Sequence, residues 1–264
     1  MIRRKSTTAT KWLIERLRRP SPDYAPNAPC GLRLFEIIRH EAGDTLMLSF
    51  SLGKDSIAAW IALRDYFNVV PYFLYSVPGL TFEEESLAYF ERKFGTRIIR
   101  LPHQNLYTRL NDFVYQPPQR CRYIEAAGFP YYKYEDIRKW ACQAAGLPED
   151  TMYATGVRAY DTPYRRTAIR THGPITRSEH KFHAIWDWSL DDVIESIRGA
   201  GMKLPPTYKV FGSSFDNLGA RYLVPMKRHY PEDYKRLLEW YPLADLVCFR
   251  YEKALQKGLI DKPY

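Results

Sequence analysis

The chain has 264 residues, a formal charge of +9 and a pI near 9.3, and it is 45% hydrophobic and 26% charged. This is ordinary composition for a globular domain that can bury a core, and no apolar run approaches the ~20 residues of a membrane span or forms the apolar part of a secretory signal. The excess of Lys and Arg favours nucleotides or nucleic acid as partners, and we expect no membrane association.

The cysteines are sparse. Cys30, Cys121, Cys142 and Cys248 stand far apart and contain no C-x-x-C pair. That spacing suggests neither a zinc site nor a disulfide framework, and a reduced, cytoplasmic setting fits it best. Cys142 and Cys248 fall in apolar helical patterns, so we expect both in the core.

Residues 1–30 form a basic N-terminal arm, in which a helical pattern at residues 11–19 is broken by prolines. Such a charge run is either a solvated segment or a contact to nucleic acid or a partner protein, and both interpretations stay open. Residues 31–42 then have a helical pattern that leads into residues 45–50, an apolar run that predicts a buried strand of a parallel sheet.

The turn after this strand has the composition of a phosphate-binding loop. It precedes an apolar helical pattern, so it ends at the positive N-terminal end of a helix, where free backbone N–H groups bind anions. Gly53 lets a phosphate approach the backbone, and Lys54 can neutralise its charge. Ser51 and Ser56 offer hydroxyl donors, whereas Asp55 would orient a donor or hold a Mg²⁺ that the phosphates share.

The turn is not a Walker A loop, because that motif needs Ser or Thr directly after the Lys and a Gly five places before the second Gly. Those positions are Asp55 and Leu48 here. Leu52 argues against any conformation in the turn that demands a positive φ. The alternative to a phosphate site is an ordinary strand-to-helix turn with a surface Lys–Asp pair.

Further strand–helix units follow. Apolar runs at residues 68–76 and 96–101 predict strands, and between them Thr81 and Glu84 have the spacing of a capping box that opens a helix to about residue 94. Successive units of this kind predict an α/β fold with a doubly wound, Rossmann-like parallel sheet and helices on both faces. A ligand of such a sheet lies at the carboxyl ends of its strands.

The middle of the chain predicts two helices, at residues 106–113 and 134–145, with a loop at 115–123 between them. A fourth strand is predicted at residues 152–157.

The fourth strand ends at Gly156 and is followed closely by Arg158, Arg165 and Arg166, with Asp161 among them. The planar fork of Arg grips phosphate or sulfate oxygens, and arginines so close repel one another unless an anion or a carboxylate lies nearby. We expect anion binding beside the first loop, with a solvated basic loop as the alternative. The basic stretch from residue 158 to 181, with its interleaved aromatics, also suggests contact with a nucleic-acid backbone.

His180 and His183, three residues apart, would share one face of a helix. Lys181 between them and the lack of an acidic third ligand argue against a metal site. We expect both to be polar or substrate-facing residues.

Toward the C-terminus, Ser189 and Asp192 form a capping box that opens a helix to about residue 198. The predicted organisation is a basic arm at 1–30, a nucleotide-binding α/β domain at 31–230, and a helical C-terminal extension at 231–264. The extension is amphipathic and aromatic, and we expect it to be scaffold or a homo-oligomer contact.

Several of these elements resemble the PP-loop ATP-pyrophosphatase, or adenine nucleotide alpha hydrolase, superfamily. Its signature Ser-Gly-Gly-x-Asp-Ser/Thr is matched by Ser51, Gly53, Asp55 and Ser56, with Leu52 in place of the first glycine.

Within this superfamily the chain resembles the phosphoadenosine phosphosulfate (PAPS) reductase-like family. The family element Gly-Ile/Val-Arg-x-x-Glu-Ser-x-x-Arg is matched by Gly156, Val157, Arg158 and Arg165, with Asp161 and Thr162 as conservative replacements. The turn at 77–84, the Arg-Cys segment at 118–121 and the Trp-rich segment at 186–193 also resemble family elements, as do residues 206–208. The resemblance therefore covers roughly residues 40–230.

The resemblance implies a sheet of the HUP type that binds ATP or a PAPS-like adenine nucleotide with Mg²⁺. The phosphates would lie on residues 51–56, including Leu52, with Gly156 and Arg158 beside them, and the base near Val77 and Gly79. The implied catalytic residues are Lys54, Asp55, Arg158, Arg165 and Cys121, and Asp55 is the implied metal ligand.

Two departures weaken a reductive role. Sulfonucleotide reductases carry a nucleophilic Cys on a C-terminal tail, and residues 257–264 contain none. Related iron–sulfur members carry Gly-Cys-x-x-Cys-Pro where residues 219–225 stand here, and both ligand positions are other residues, so no iron–sulfur cluster is expected. Cys121, between Arg120 and Arg122, is expected to have a lowered pKa and to be reactive, or else to be an inert structural thiol.

The leading hypothesis is an AMP-forming ATP pyrophosphatase: a substrate oxygen attacks the α-phosphorus, pyrophosphate leaves, and the adenylylated substrate is then displaced. The acceptor would be a nucleic-acid base or a small metabolite, in nucleic-acid or sulfur modification. A second hypothesis is a sulfonucleotide reductase or sulfurtransferase that uses Cys121 or the thiol of a partner. A third is a non-catalytic module that binds a nucleotide or nucleic acid.

Overall fold

A computed structural model of the protein describes residues 11–260, and within that range the chain forms six strands and thirteen α-helices. The strands are β1 (Thr45–Ser49), β2 (Asn68–Tyr75), β3 (Ile99–Pro102), β4 (Tyr153–Thr155), β5 (Ile175–Thr176) and β6 (Lys181–His183). The helices are α1 (Lys11–Leu17), α2 (Gly31–Ala42), α3 (Lys54–Leu63), α4 (Thr81–Phe94), α5 (Gln104–Asn111), α6 (Pro118–Ala127), α7 (Tyr134–Ala145), α8 (Pro163–His172), α9 (Leu190–Gly199), α10 (Thr207–Phe211), α11 (Ala220–His229), α12 (Pro231–Trp240) and α13 (Asp245–Gln256). Short 3₁₀ turns occupy Arg177–Glu179 and Pro242–Ala244.

The strands form one six-stranded, mostly parallel sheet in the order β3-β2-β1-β4-β6-β5. β1 pairs in parallel with β2 and with β4, β4 pairs in parallel with β6, and β5 closes the edge in the antiparallel sense. β1 is buried along its centre because it has a neighbour on each side and apolar residues on both faces. The prediction of an α/β fold with a largely parallel sheet is confirmed. In the described range, every helix is too short or too polar to cross a membrane.

The chain divides into two compact units. The first contains the residues up to Phe73 together with Glu91–Ile99 and Arg138–Leu204. The second contains Leu74–Phe90, Arg100–Ile137 and the residues from Pro205 onward. The backbone therefore passes between the units five times, and four of those passages fall inside β2, α4, β3 and α7. The predicted domain boundaries at residues 30 and 230 stay predictions.

In the first unit, the N-terminal arm is less solvated than its charge suggests. Residues 1–10 lie outside the described range, but α1 buries Leu13 and Leu17. Arg16 is only 3% exposed, with its Nη1 atom 2.8 Å from Asp187 Oδ2 and its Nε atom 2.9 Å from Asp192 Oδ2. Two carboxylates compensate the buried guanidinium, so this part of the arm is a structural element of the first unit.

In the second unit, α4 begins at Thr81 as predicted, but the predicted capping box is wrong. Thr81 is already the first helical residue, and its N–H donates to Asp233 Oδ1 over 2.7 Å. The N–H of Phe82 donates to Asp233 Oδ2 over 3.2 Å. A buried carboxylate that is distant in sequence therefore accepts hydrogen bonds from the free N–H groups at the start of this helix.

The predicted loop at 115–123 and the basic stretch at 158–181 both contain helices. α6 occupies much of the predicted loop 115–123, because Pro118 stands at the first helical position, where its fixed φ favours a helix start. The basic stretch 158–181 contains α8, β5 and β6. α8 starts in the same way, with Pro163 at its first position and the side chain of Thr162 accepting from Arg165 N.

Other predictions are confirmed closely. α2 and α7 have the predicted bounds, and α12 begins at Pro231. α9 has the predicted capping box: Asp192 N donates to Ser189 Oγ over 3.1 Å, and Ser189 N donates to Asp192 Oδ2 over 3.0 Å. Cys142 and Cys248 are both buried.

Candidate phosphate-binding site

The loop between β1 and α3, in the first unit, is held by its own two serines. Ser56 Oγ donates to the carbonyl of Gly53 over 2.9 Å and accepts from Ser51 N over 3.2 Å. Gly53 N donates to Ser51 Oγ over 3.4 Å. Ser56 is buried, so its hydroxyl shapes the loop, whereas Ser51 is exposed and can face a ligand.

Leu52 adopts a conformation that we did not expect of a leucine. Its φ is +58°, in the left-handed region, and its side chain is only 4% exposed. A left-handed backbone costs a non-glycine residue about 1–2 kcal/mol, and burial of a leucine side chain contributes about 1.5–3 kcal/mol in the other direction. Packing of the Leu52 side chain therefore offsets the cost of the left-handed bend in this loop.

α3 starts without a side-chain cap. Gly53 precedes the helix in an extended conformation with φ −77° and ψ 150°, and the first helical hydrogen bond of the turn runs from Ile57 N to Gly53 O over 3.1 Å. Across residues 11–260, no protein acceptor bonds to the backbone N–H groups of Asp55 and Ser56. These donors lie at the positive end of a ten-residue helix, which is an arrangement that attracts anions.

The strand β4 brings a second loop against this turn. A Cβ atom on Gly156 would lie 2.6 Å from the backbone carbon and oxygen of Asp55 and 2.8 Å from Ser56 N. A side chain at position 156 would therefore displace the first turn of α3. The two loops lie together, as expected from the order of the strands.

Arg158 anchors the two loops to each other. Its Nε atom lies 2.8 Å from Asp55 Oδ1, in an ion pair whose angle is poor for a hydrogen bond. Its Nη2 atom donates to Asp161 Oδ1 over 2.7 Å, and its Nη1 atom donates to the carbonyl of Trp188 over 3.4 Å. With 5% of its surface exposed, Arg158 is compensated by two carboxylates, so its geometry is that of a residue that positions Asp55.

Asp161 joins Arg158 to Arg165. Its second oxygen, Oδ2, accepts from Arg165 Nη1 over 2.7 Å. Carboxylates of the protein thus offset the repulsion between Arg158 and Arg165. The spacing of the arginines had left open whether an anion or a carboxylate would do so. The Arg165 side chain remains 45% exposed and can still face solvent or a ligand.

Lys54 and Asp55 form an ion pair at the mouth of the loop. Lys54 Nζ lies 2.8 Å from Asp55 Oδ2, and the two side chains are 30% and 26% exposed. Asp55 therefore stands between two cations, Lys54 and Arg158. Residues 11–260 hold no cluster of three or more His, Cys, Asp or Glu side chains suited to a metal ion, so a cation at Asp55 would take its other ligands from phosphate oxygens and water.

Sequence reasoning missed a hydrogen-bonded pair at the same edge of the sheet. Thr155 ends β4 and His183 ends β6, and Thr155 Oγ1 lies 2.7 Å from His183 Nδ1. Burial, together with the positive charges of Lys181 and Arg165, lowers the pKa of His183 to about 4. The prediction that His180 and His183 share a helix face is wrong, because His183 lies in a strand and His180 ends a 3₁₀ turn. The alternation Lys-Phe-His with a buried Phe182 was the signal for a strand.

The remaining predicted site residues belong to the second unit. Val77 is buried, and Gly79, with φ +71°, accepts a hydrogen bond at its carbonyl from Arg236 over 2.6 Å. Cys121 is half-buried in α6, with its Sγ atom 3.5 Å from the carbonyl of Pro117. Arg120, its neighbour, donates to the carbonyl of Glu239.

The predicted site is thus divided between the two units. The first unit brings together residues 51–56, Gly156, Arg158 and Arg165. The second unit holds Val77, Gly79 and Cys121.

A comparison with protein-family models gave no match, and a search of curated proteins gave none either. Function is therefore inferred from the residues and their geometry.

Proposed function

We propose that the first unit binds the polyphosphate of an adenine nucleotide on the loop at residues 51–56, and that the protein cleaves ATP between its α- and β-phosphates. The observation that carries this proposal is the uncapped first turn of α3. Its N–H groups at Asp55 and Ser56 have no protein acceptor within residues 11–260, and Lys54 stands beside them. A polyphosphate supplies the missing acceptors and the negative charge that this turn favours.

Each neighbouring residue has a role in this proposal. Lys54 and the backbone donors hold the charge that develops on the departing pyrophosphate, and Arg165 supplies a second, exposed cation. Gly156 allows the two loops to approach closely, and Arg158 holds them together through its ion pair with Asp55. Arg158 is a positioning residue rather than a direct phosphate ligand, because its guanidinium is buried between Asp55 and Asp161.

Asp55 fits a role as the one protein ligand of a Mg²⁺ ion, which would offset phosphate charge when bound. Lys54, paired with Asp55 at 2.8 Å, would then lie beside both the cation and the phosphates. We also infer that the sheet is doubly wound and of the HUP type.

The reaction transfers AMP to an acceptor, and a second nucleophile then displaces AMP from the adenylylated acceptor. An oxygen of the acceptor forms a bond to the α-phosphorus, the bond from that phosphorus to the bridging oxygen breaks, and its electron pair leaves with pyrophosphate. His183 lies at this edge of the sheet as a neutral imidazole held by Thr155, and its lowered pKa makes it a weak base, so the proton of the attacking group passes to solvent.

The test is nucleotide binding and turnover by the full chain. ATP and Mg²⁺ with candidate acceptors should yield equal amounts of AMP and pyrophosphate, and Lys54→Gln should weaken ATP binding about 10- to 100-fold, since it removes one charged contact. Lys203→Gln, an exposed lysine of the same unit, is the matched control and should bind ATP normally. Equal affinity of the Lys54 and Lys203 variants would contradict the phosphate site.

The same assay separates the other hypotheses. Release of sulfite from PAPS with a thiol reductant, abolished by Cys121→Ser, would assign the protein to sulfonucleotide reduction. Tight ATP binding without any turnover would identify a non-catalytic nucleotide-binding module.

A further inference from the structure

Helix α8 is unusual in how little of it is buried. It has ten residues, and Ile169 is the single buried one. Residues 163–167 and 170–172 are all exposed, and Tyr164 is 82% exposed. A surface helix normally buries an apolar stripe against the core, so α8 leaves an unusually large part of its surface open to a partner.

The charge of α8 is of one sign. It contains Arg165, Arg166 and Arg170, ends at His172, and has no acidic residue. Arg165 is paired with Asp161, but within residues 11–260 neither Arg166 nor Arg170 has a carboxylate partner. Like charges on neighbouring turns destabilise a helix by a few tenths of a kcal/mol per pair, so this surface is complementary to a polyanion.

Aromatic rings accompany these cations. The guanidinium of Arg166 lies 5.2 Å from the ring centre of Tyr160 and 5.4 Å from that of Tyr24. Tyr160 is 46% exposed and meets Tyr24 edge to face. Exposed rings next to arginines are the elements on which unpaired bases stack while the phosphates follow the positive charge.

We propose that α8, together with Tyr160, binds single-stranded nucleic acid. Charge complementarity alone would also suit an acidic protein, but such a partner would leave the faces of Tyr160 and Tyr164 unused, and a duplex hides the faces of its bases. Asp161 links Arg165 of α8 to Arg158, which in turn pairs with Asp55 of the phosphate loop, so a strand bound here runs beside the proposed nucleotide site. Binding of the strand does not depend on the proposed function. The further idea that the strand is the acceptor of AMP does rest on it.

The test uses the full chain and a fluorescein-labelled single strand of about 20 nucleotides, as RNA and as DNA, in fluorescence anisotropy titrations between about 50 and 200 mM salt. Tyr164→Ala should weaken binding about 5- to 100-fold with an unchanged salt dependence, and Tyr164→Phe should restore it, because only the ring is needed to stack. Arg170→Ala should lower the slope of log affinity against log salt by about 0.7, the value for one phosphate contact on a single strand.

Arg198→Ala is the matched control, since Arg198 lies on α9 in the same unit, is 74% exposed, and its loss changes the net charge equally. The proposal is overturned if Arg198→Ala weakens binding as much as Arg170→Ala, or if Tyr164→Ala has no effect. It is also overturned if a duplex, or polyglutamate of equal charge, displaces the labelled strand as effectively as an unlabelled single strand does. ATP binding by the same variants should be unchanged. A protein that binds the strand but not ATP refutes only the proposed function, and one that binds ATP but not the strand refutes only this inference.

Discussion

At most positions replacement by glycine destabilises a protein more than replacement by alanine, and the backbone at Leu52 predicts the opposite order. Leu52 combines a φ of +58° with a side chain that is 4% exposed. Leu52→Ala loses the buried side chain, at a cost of about 2–5 kcal/mol, and keeps the left-handed penalty. Leu52→Gly loses the same side chain but removes the penalty, so we expect it to be about 1 kcal/mol more stable than Leu52→Ala, after the extra unfolded-state entropy of glycine is subtracted.

The assay is urea denaturation of the two variants, with Leu34 as the control position. Leu34 is fully buried inside α2, where glycine is about 1 kcal/mol less favourable than alanine. The difference between the Gly and Ala variants should therefore have opposite signs at positions 52 and 34. If alanine is the more stable replacement at both positions, the loop carries no left-handed strain and our account of Leu52 is wrong.

Three other predictions follow from the first unit. Gly156→Ala should cost about 1–3 kcal/mol, since its Cβ would lie 2.6 Å from the backbone of Asp55, and an unchanged melting temperature would refute the close approach. Arg16→Met should cost about 3–5 kcal/mol in urea denaturation because it leaves the carboxylate of Asp187 buried without its partner, and adding Asp187→Asn should recover much of the loss. His183 has a pKa of about 4 when folded and about 6.5 when unfolded, so the unfolded chain binds a proton first and stability should fall by about 3 kcal/mol as the pH drops from 6.5 to 4. His183→Asn should flatten that pH dependence, and an identical profile for both proteins would show that another group titrates.

Much of the fold could be predicted because its signals are local. The apolar run at β1, the small residues after it and the helical spacing of α3 identify a strand, a turn and a helix without any knowledge of the rest of the chain. The bounds of α2 and α7 were predicted for the same reason, since each has a strongly one-sided apolar pattern.

The errors arose where a hydrogen-bond or ion-pair partner is distant in sequence, or where the charge of a segment obscured its helix-start signal. Asp233 caps α4 from about 150 residues away, and no local pattern at Thr81 announces it. Asp55 similarly lies far along the chain from Arg158, so the spacing of the arginines could not show that Arg158 is engaged by a carboxylate. The helix α8 was missed although Thr162 and Pro163 are a local helix-start signal, because we interpreted the segment by its charge alone.

The five passages of the backbone between the two units affect how the protein can be dissected. Both units are assembled from three separate stretches of polypeptide, so neither can be expressed as an uninterrupted fragment. A protease that nicked the chain at β2, α4, β3 or α7 would sever a hydrogen-bonded element rather than a linker. No single cut in the chain can therefore separate the unit that contains residues 51–56 from the unit that contains Cys121.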